Sequence, residues 1–297
     1  MTAHRIELGG PLDLVATLGP LVHGSADRTT RVSTREAALA FLTPDGPAAL
    51  LLRLESASVL AVRAWGPGAE RAVASAAELV GERDRPELFE PRHAILADLA
   101  RRNPGLRLPR TRRVLHALVP TILEQKVTGT EAFRSYGSLL RRYGERAPGP
   151  LDLLLPPPPA ILAALPYHAF HPLGVERRRA DVIRRAAGRA ATLEAAATPP
   201  DTARRLASLR GVGPWTVAEV MRNAFGDPDA VSVGDFHVPS MVAWALAGEP
   251  RADDARMLEL LEPYRGQRGR VQRLLELGRV MAPRRGPRFA PRSIAAI

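Results

Sequence analysis

Residues 209 to 216 spell Leu-Arg-Gly-Val-Gly-Pro-Trp-Thr, a tight glycine turn with a proline directly behind it. Glycines at Gly211 and Gly213 let a backbone approach another group closely, because no Cβ intervenes. Pro214 suits the first turn of a helix. The free N–H groups of such a helix start, together with its positive dipole end, hold a phosphate oxygen without reading any base. Twenty residues after Trp215 comes Asp235, preceded by an apolar run at Val231-Ser232-Val233 and by Gly234, which permits a sharp turn. In the ordinary case an aspartate at a helix mouth is an N-cap. Facing a reacting sugar, the same carboxylate stabilises a developing cation and orients or deprotonates a water.

A second segment, Thr121-Ile122-Leu123-Glu124-Gln125-Lys126-Val127-Thr128, ends an apolar helical pattern in polar side chains. Lys126 is the only lysine of the chain. His168 and His171 are spaced like one helical turn, but Pro166 and Pro172 bracket them and no third ligand follows closely, so a metal pair is not expected.

The hairpin L-x-G-V-G-x-W-T with Ala218 behind it, and the aspartate at this distance, resemble the helix-hairpin-helix DNA glycosylases, and among them the DNA-3-methyladenine glycosylase II family. The resemblance covers nearly the whole chain, is strongest at the hairpin, and extends weakly to the opening Leu8-Gly9-Gly10-Pro11-Leu12-Asp13. It implies that Asp235 is the catalytic carboxylate facing a nucleotide drawn out of the duplex. It implies a base pocket that includes Trp215 and Phe236 for stacking on a cationic base, and Glu219 where a family tyrosine stands. Glu219 attracts a cationic base if it lines that pocket and is a surface charge if it faces solvent. Implied DNA contacts are Gly211, Val212, Gly213 and Thr216 of the hairpin, with Gln125 or Lys126 filling the gap left by the extruded base. Relatives that cleave the strand carry a lysine where Trp215 stands, so a monofunctional, hydrolytic enzyme is expected. No organic cofactor and no side-chain metal site are implied, only a monovalent cation at the main-chain carbonyls of Leu209 and Val212. Arg210 replaces the family's hairpin proline, and Gly234 a bulkier residue.

The expected function is therefore removal of an alkylated purine, of the 3-methyladenine or 7-methylguanine type, from double-stranded DNA during base excision repair. A relative acting on another damaged or mismatched base, and a non-catalytic DNA-binding protein, are the alternatives. Composition agrees with a nucleic-acid partner: 42 basic against 31 acidic residues give a net charge of +11, which favours a polyanion through counterion release. Arginine richness follows in part from the Ala/Arg/Pro bias of the chain. The absence of cysteine excludes disulfides and thiolate-held clusters. No apolar run is long enough for a membrane span and the N-terminus lacks the pattern of a secretory signal. A monomer in the cytoplasm, associated with the nucleoid, is expected.

The elements that must position these residues fall into two groups. Residues 1–88 mix strand patterns at 5–8, 48–54 and 59–65 with helical ones at 12–18 and 68–80, an α+β lobe. Residues 89–297 are helical, with candidate helices at 91–102, 110–128, 130–143, 159–165, 175–191, 202–209, 214–225, 236–247, 252–261 and 268–281. The fold class is thus mainly α, a helix-hairpin-helix core with a small mixed lobe. The proline run 156–159 is an interhelical loop, and the basic stretch 283–288 an irregular tail.

Overall fold

The computed structural model describes residues 1–196 and 198–283; from position 284 the expected basic tail lies outside the described residues. Five strands, β1 Thr2–Glu7, β2 Thr30–Val32, β3 Glu36–Thr43, β4 Gly46–Ser56 and β5 Val59–Trp65, form an antiparallel sheet in the order β1-β5-β4-β3-β2. The register sets Leu50 opposite Leu39 and Ala64, and Leu52 opposite Val62. With side chains alternating between faces, these residues and Phe41 share one buried face with Leu14 and Leu18 of α1 (Leu14–Leu18) and with Ala72 and Leu79 of α2 (Ala69–Ala74) and α3 (Ala76–Leu79). The opposite face is covered where Ala38 and Ala40 meet Leu153 and Leu155.

The strands at 5–8, 48–54 and 59–65 and the helix at 12–18 match elements of the structure; β2 and β3 have no counterpart in the sequence reading. Residues 37–41 are buried on both faces, so β3 lacks the apolar–polar alternation that marks a half-exposed strand. The single helix expected over 68–80 is broken at Ser75, whose hydroxyl donates to Ala72 O at 3.2 Å and so competes with the helical ladder.

The remainder is helical: α4 Ala94–Arg102, α5 Val114–Glu124, α6 Gly129–Tyr143, α7 Pro159–Ala164, α8 Tyr167–Phe170, α9 Arg177–Gly188, α10 Ala190–Glu194, α11 Pro199–Ala207, α12 Pro214–Phe225, α13 Val238–Ala247, α14 Asp254–Leu261 and α15 Arg268–Leu277. Helices α5, α6, α9 and α12 bury one core around Leu118, Ile122, Ile183 and Val220. Helices α4, α13, α14 and α15 bury another around Leu96, Val242, Met257 and Leu275, which Ala16 of α1 joins. The first turn of α5 is capped from outside, its Val114 and Leu115 N–H groups donating to the Glu194 carboxylate at 3.1 and 2.8 Å.

Several contacts fix the sheet lobe against the helices. The Arg113 guanidinium lies 3.3 Å from the centroid of the Phe41 ring. Arg107 donates to Gly10 O at 2.6 Å and pairs with Glu82 at 2.8 Å. Arg273 of α15 donates to Ala16 O at 2.5 Å. Asp84 and Arg270 form an ion pair with both side chains only 3% exposed. A buried pair of this kind holds geometry because either partner left alone is a buried charge.

Candidate active site

The hairpin joins α11 to α12. Gly211 has φ +95°, and a Cβ there would sit 2.5 Å from Val182 Cγ2, so both conformation and space demand glycine. Gly213 differs: its φ is −103° and a Cβ would meet nothing within 4 Å. The close approach expected of both glycines is thus made inside the protein only by Gly211, while Gly213 opens to solvent beside the start of α12. Val212 is buried and its N–H donates to Leu209 O at 2.9 Å. Arg185 donates to Arg210 O at 2.8 Å. Main-chain oxygens suit a hard cation, and the Leu209 carbonyl, which accepts the Val212 N–H, keeps a second lone pair.

Gln125 ties the end of α5 to this turn. Its Nε2 donates to Gly211 O at 3.0 Å and to Thr216 Oγ1 at 2.9 Å. Two expectations change here. Thr216 is 2% exposed with its hydroxyl turned inward to Gln125, so its side chain is not a DNA contact. Gln125 is committed to the hairpin, whereas Lys126, exposed and in the left-handed region at φ +56°, projects from the loop that ends α5.

Asp235 sits before α13, in a turn that Gly234 makes possible with φ +91°. Its Oδ1 accepts the His237 and Val238 N–H groups at 2.6 and 2.9 Å, at the helix start where a carboxylate is favoured. Its Oδ2 accepts the Trp215 indole N–H at 3.1 Å. Asp235 is not the N-cap, which is His237; from two residues further out one of its oxygens takes the N–H groups of the turn into α13, and the other faces Trp215. The helix expected from 236 begins at Val238 because the two preceding residues form this capped turn.

Asp235 and Trp215 line a cavity of about 250 Å³ shared with Pro20, His23, Glu124, Glu219, Arg222, Asn223 and Glu276. That is smaller than most sites for drug-sized ligands and has room for one nucleobase. Glu219 therefore faces the pocket and not open solvent. Its Oε1 accepts from the Ser232 hydroxyl and, at 3.1 Å, from Arg222 Nη1. Arg222 Nη2 pairs with Glu276 at 2.6 Å. Gln272 Nε2 donates to Glu276 at 2.8 Å and to Ser232 Oγ at 2.7 Å. Burial pushes the Glu219 carboxyl above the usual carboxylate range, against the pull of Arg222, and the negative charges of Glu276 and Glu124 push the same way. Burial also raises Glu276, but Arg222, Arg273 and Gln272 together outweigh it and hold that carboxyl low.

Phe236 is a correction. It is 81% exposed, packs edge-on against His237 at 4.9 Å between ring centroids, and does not line the cavity. Trp215 is left as the aromatic residue of the cavity, in a wall that is otherwise mostly polar. The sequence reading missed His23, Arg222, Asn223 and Glu276, and passed over Glu124 although it stands next to Gln125. Arg222 follows Glu219 at helical i,i+3 spacing, a signal that was there to use; His23 has no local signal at all.

This fold, with a glycine hairpin feeding α12, an aspartate before α13 and a cavity between them that residues of the sheet lobe also line, is shared with solved DNA glycosylases. The chain is similar over 93% of its length, and 98% of that chain, to a 3-methyladenine DNA glycosylase from Archaeoglobus fulgidus, with a TM-score of 0.76 and 17% identity. It is similar to an 8-oxoguanine glycosylase/lyase from Clostridium acetobutylicum (TM-score 0.66, 11% identity, 93% of this chain and 96% of that one). A Schizosaccharomyces pombe 3-methyladenine DNA glycosylase in complex with abasic DNA matches 67% of this chain and 97% of its own, with a TM-score of 0.52 and 14% identity. No protein-family model matches the sequence, nor does any curated protein.

Proposed function

We propose that this chain is a monofunctional DNA glycosylase that hydrolyses the N-glycosidic bond of a damaged purine, of the 3-methyladenine or 7-methylguanine type, in double-stranded DNA. The observation that carries this reading is the Asp235 carboxylate. It is held by the Trp215 N–H and by the start of α13 at the wall of a base-sized cavity. The hairpin N–H of Gly213 anchors one phosphate, and Lys126 enters the gap left by the extruded nucleotide.

With the base in the cavity, Asp235 faces C1′. Its charge stabilises the oxocarbenium-like sugar as the C1′–N bond breaks, and it accepts the proton of the water whose oxygen bonds to C1′. The bonding electrons leave with the alkylated base and neutralise its positive charge, the proton taken by Asp235 passes to solvent, and an abasic site remains. Among the described residues no lysine lines the cavity, and Trp215 holds the position of the strand-cleaving lysine, so no Schiff base forms and the strand is not nicked. The protein acts on duplex DNA as a monomer without an organic cofactor.

The test is release of free base from methylated duplex DNA by the wild type and by Asp235→Asn. Expected is release of a methylated purine that falls by about 100-fold or more in the variant, while binding to an abasic-site duplex persists. Equal release by both proteins would remove Asp235 from the reaction.

A further inference from the structure

The cavity wall is built of hydrogen-bond acceptors more than of rings, and two of its carboxylates are half-engaged. Glu124, the last residue of α5, has its Oε1 3.4 Å from His23 Nδ1, which leaves its second oxygen for another partner. Glu219 takes both of its protein hydrogen bonds on Oε1, which leaves Oε2 likewise. The two are near enough that the charge of Glu124 acts on the Glu219 carboxyl.

His23 comes from the sheet lobe and is itself fixed. Its backbone N–H donates at 2.9 Å to Asp27, whose other oxygen takes the Thr29 N–H and hydroxyl, both at 2.8 Å. Its ring packs edge-on against Tyr136. Glu124 is thus oriented by a side chain from another part of the fold, one residue before the Gln125 that grips the hairpin.

Resting on the glycosylase reading above, the geometry points to a damaged guanine as the base this cavity takes, with Glu124 as the residue that selects it and His23 as its positioning residue. The Watson–Crick edge of guanine carries two adjacent donors, the ring N1–H and the 2-amino group, which a carboxylate accepts together. The same edge of adenine sets an amino donor beside a ring-nitrogen acceptor, and that lone pair meets a carboxylate unfavourably. A flipped base is read on this edge. The guanine carbonyl at position 6 needs a donor, and Asn223 in the same wall supplies one. N7-alkylation or C8-oxidation leaves the two guanine donors in place, so both kinds of lesion meet the requirement.

The experiment compares release of 7-methylguanine and of 3-methyladenine from methylated duplex DNA, and of 8-oxoguanine from a duplex that carries it, each expressed as acceleration over spontaneous loss. Expected is a preference of about 100-fold for guanine-derived over adenine-derived bases, as unpaired polar groups penalise the wrong partner. Glu124→Gln swaps one acceptor oxygen for a donor, and guanine-lesion release falls roughly 10- to 100-fold. Adenine-lesion release rises, because the amide donates to the ring nitrogen and accepts from the amino group, while affinity for an abasic-site duplex, which holds no base to read, stays as in the wild type. His23→Gln moves the same ratio in the same direction by a smaller factor, which keeps the test decisive if Glu124→Gln folds poorly. Adenine-derived bases released as well as guanine-derived ones, or a Glu124→Gln loss equal for every base, overturns the assignment. No release of any base, with Asp235→Asn indistinguishable from wild type, overturns the glycosylase reading itself.

Discussion

Glu219 stands in the cavity wall where burial works against its charge, while Glu276 behind it is held ionised by Arg222 and Arg273. The two have opposite consequences for stability. A carboxyl whose folded pKa is raised binds more protons in the native state than in the unfolded chain, so its contribution declines as pH rises above the unfolded value. For Glu276 the contribution is present above the unfolded value and lost as pH falls through the lowered folded one. Glu219 faces Arg222, Ser232, Glu276 and Glu124, and a glutamine keeps an acceptor for the first two. Thermal melts should therefore find Glu219→Gln more stable than wild type at pH 8, with the difference vanishing near pH 4. A wild type that melts higher at pH 8 would show that the Arg222 pair outweighs burial.

At the scale of elements, the two hairpin glycines differ: the fold demands Gly211 and leaves Gly213 free for the phosphate contact proposed above. Gly211→Ala places a Cβ against Val182 in a left-handed backbone and should cost about 1–3 kcal/mol of stability. Gly213→Ala meets open space at an ordinary φ, so its melting temperature should match the wild type. Its methyl group would stand where a phosphate approaches, and affinity for an abasic-site duplex, read by fluorescence anisotropy, should fall several-fold. Unchanged affinity would take Gly213 out of the interface. The loop after α5 makes a similar division: Gln125 turns inward to hold the hairpin, and Lys126 is left facing out.

The whole molecule matters because the cavity is assembled across lobes. Pro20 and His23 come from the sheet lobe, Glu124 from α5, Trp215 to Asn223 from α12, and Glu276 from α15. The buried Asp84–Arg270 pair ties the end of the sheet lobe to α15, and Asp84 also accepts the Leu108 N–H at 3.0 Å. Asp84→Ala leaves Arg270 a buried charge and should cost about 3–5 kcal/mol, measurable by urea unfolding. A loss below 1 kcal/mol, roughly the worth of an exposed pair, would mean that water reaches Arg270.

Sequence alone determined the hairpin, the distance to Asp235, the mainly helical class and three of the five strands, because turn chemistry and hydrophobic period are local properties of the chain. It located the boundaries of α12 to the residue, since Pro214 and Gly226 punctuate that helix. Local signals did not reveal β3, whose residues are buried on both faces, nor separate Gly211 from Gly213, whose surroundings come from α9 in one case and solvent in the other. Whether Glu219 faced a cavity or solvent, that Phe236 turns outward and Thr216 inward, and that His23 meets Glu124 were all decided by tertiary structure. The Gln125–Thr216 and His23–Glu124 contacts join residues 91 and 101 positions apart, the others depend on which face of an element is covered, and no local pattern carries that information.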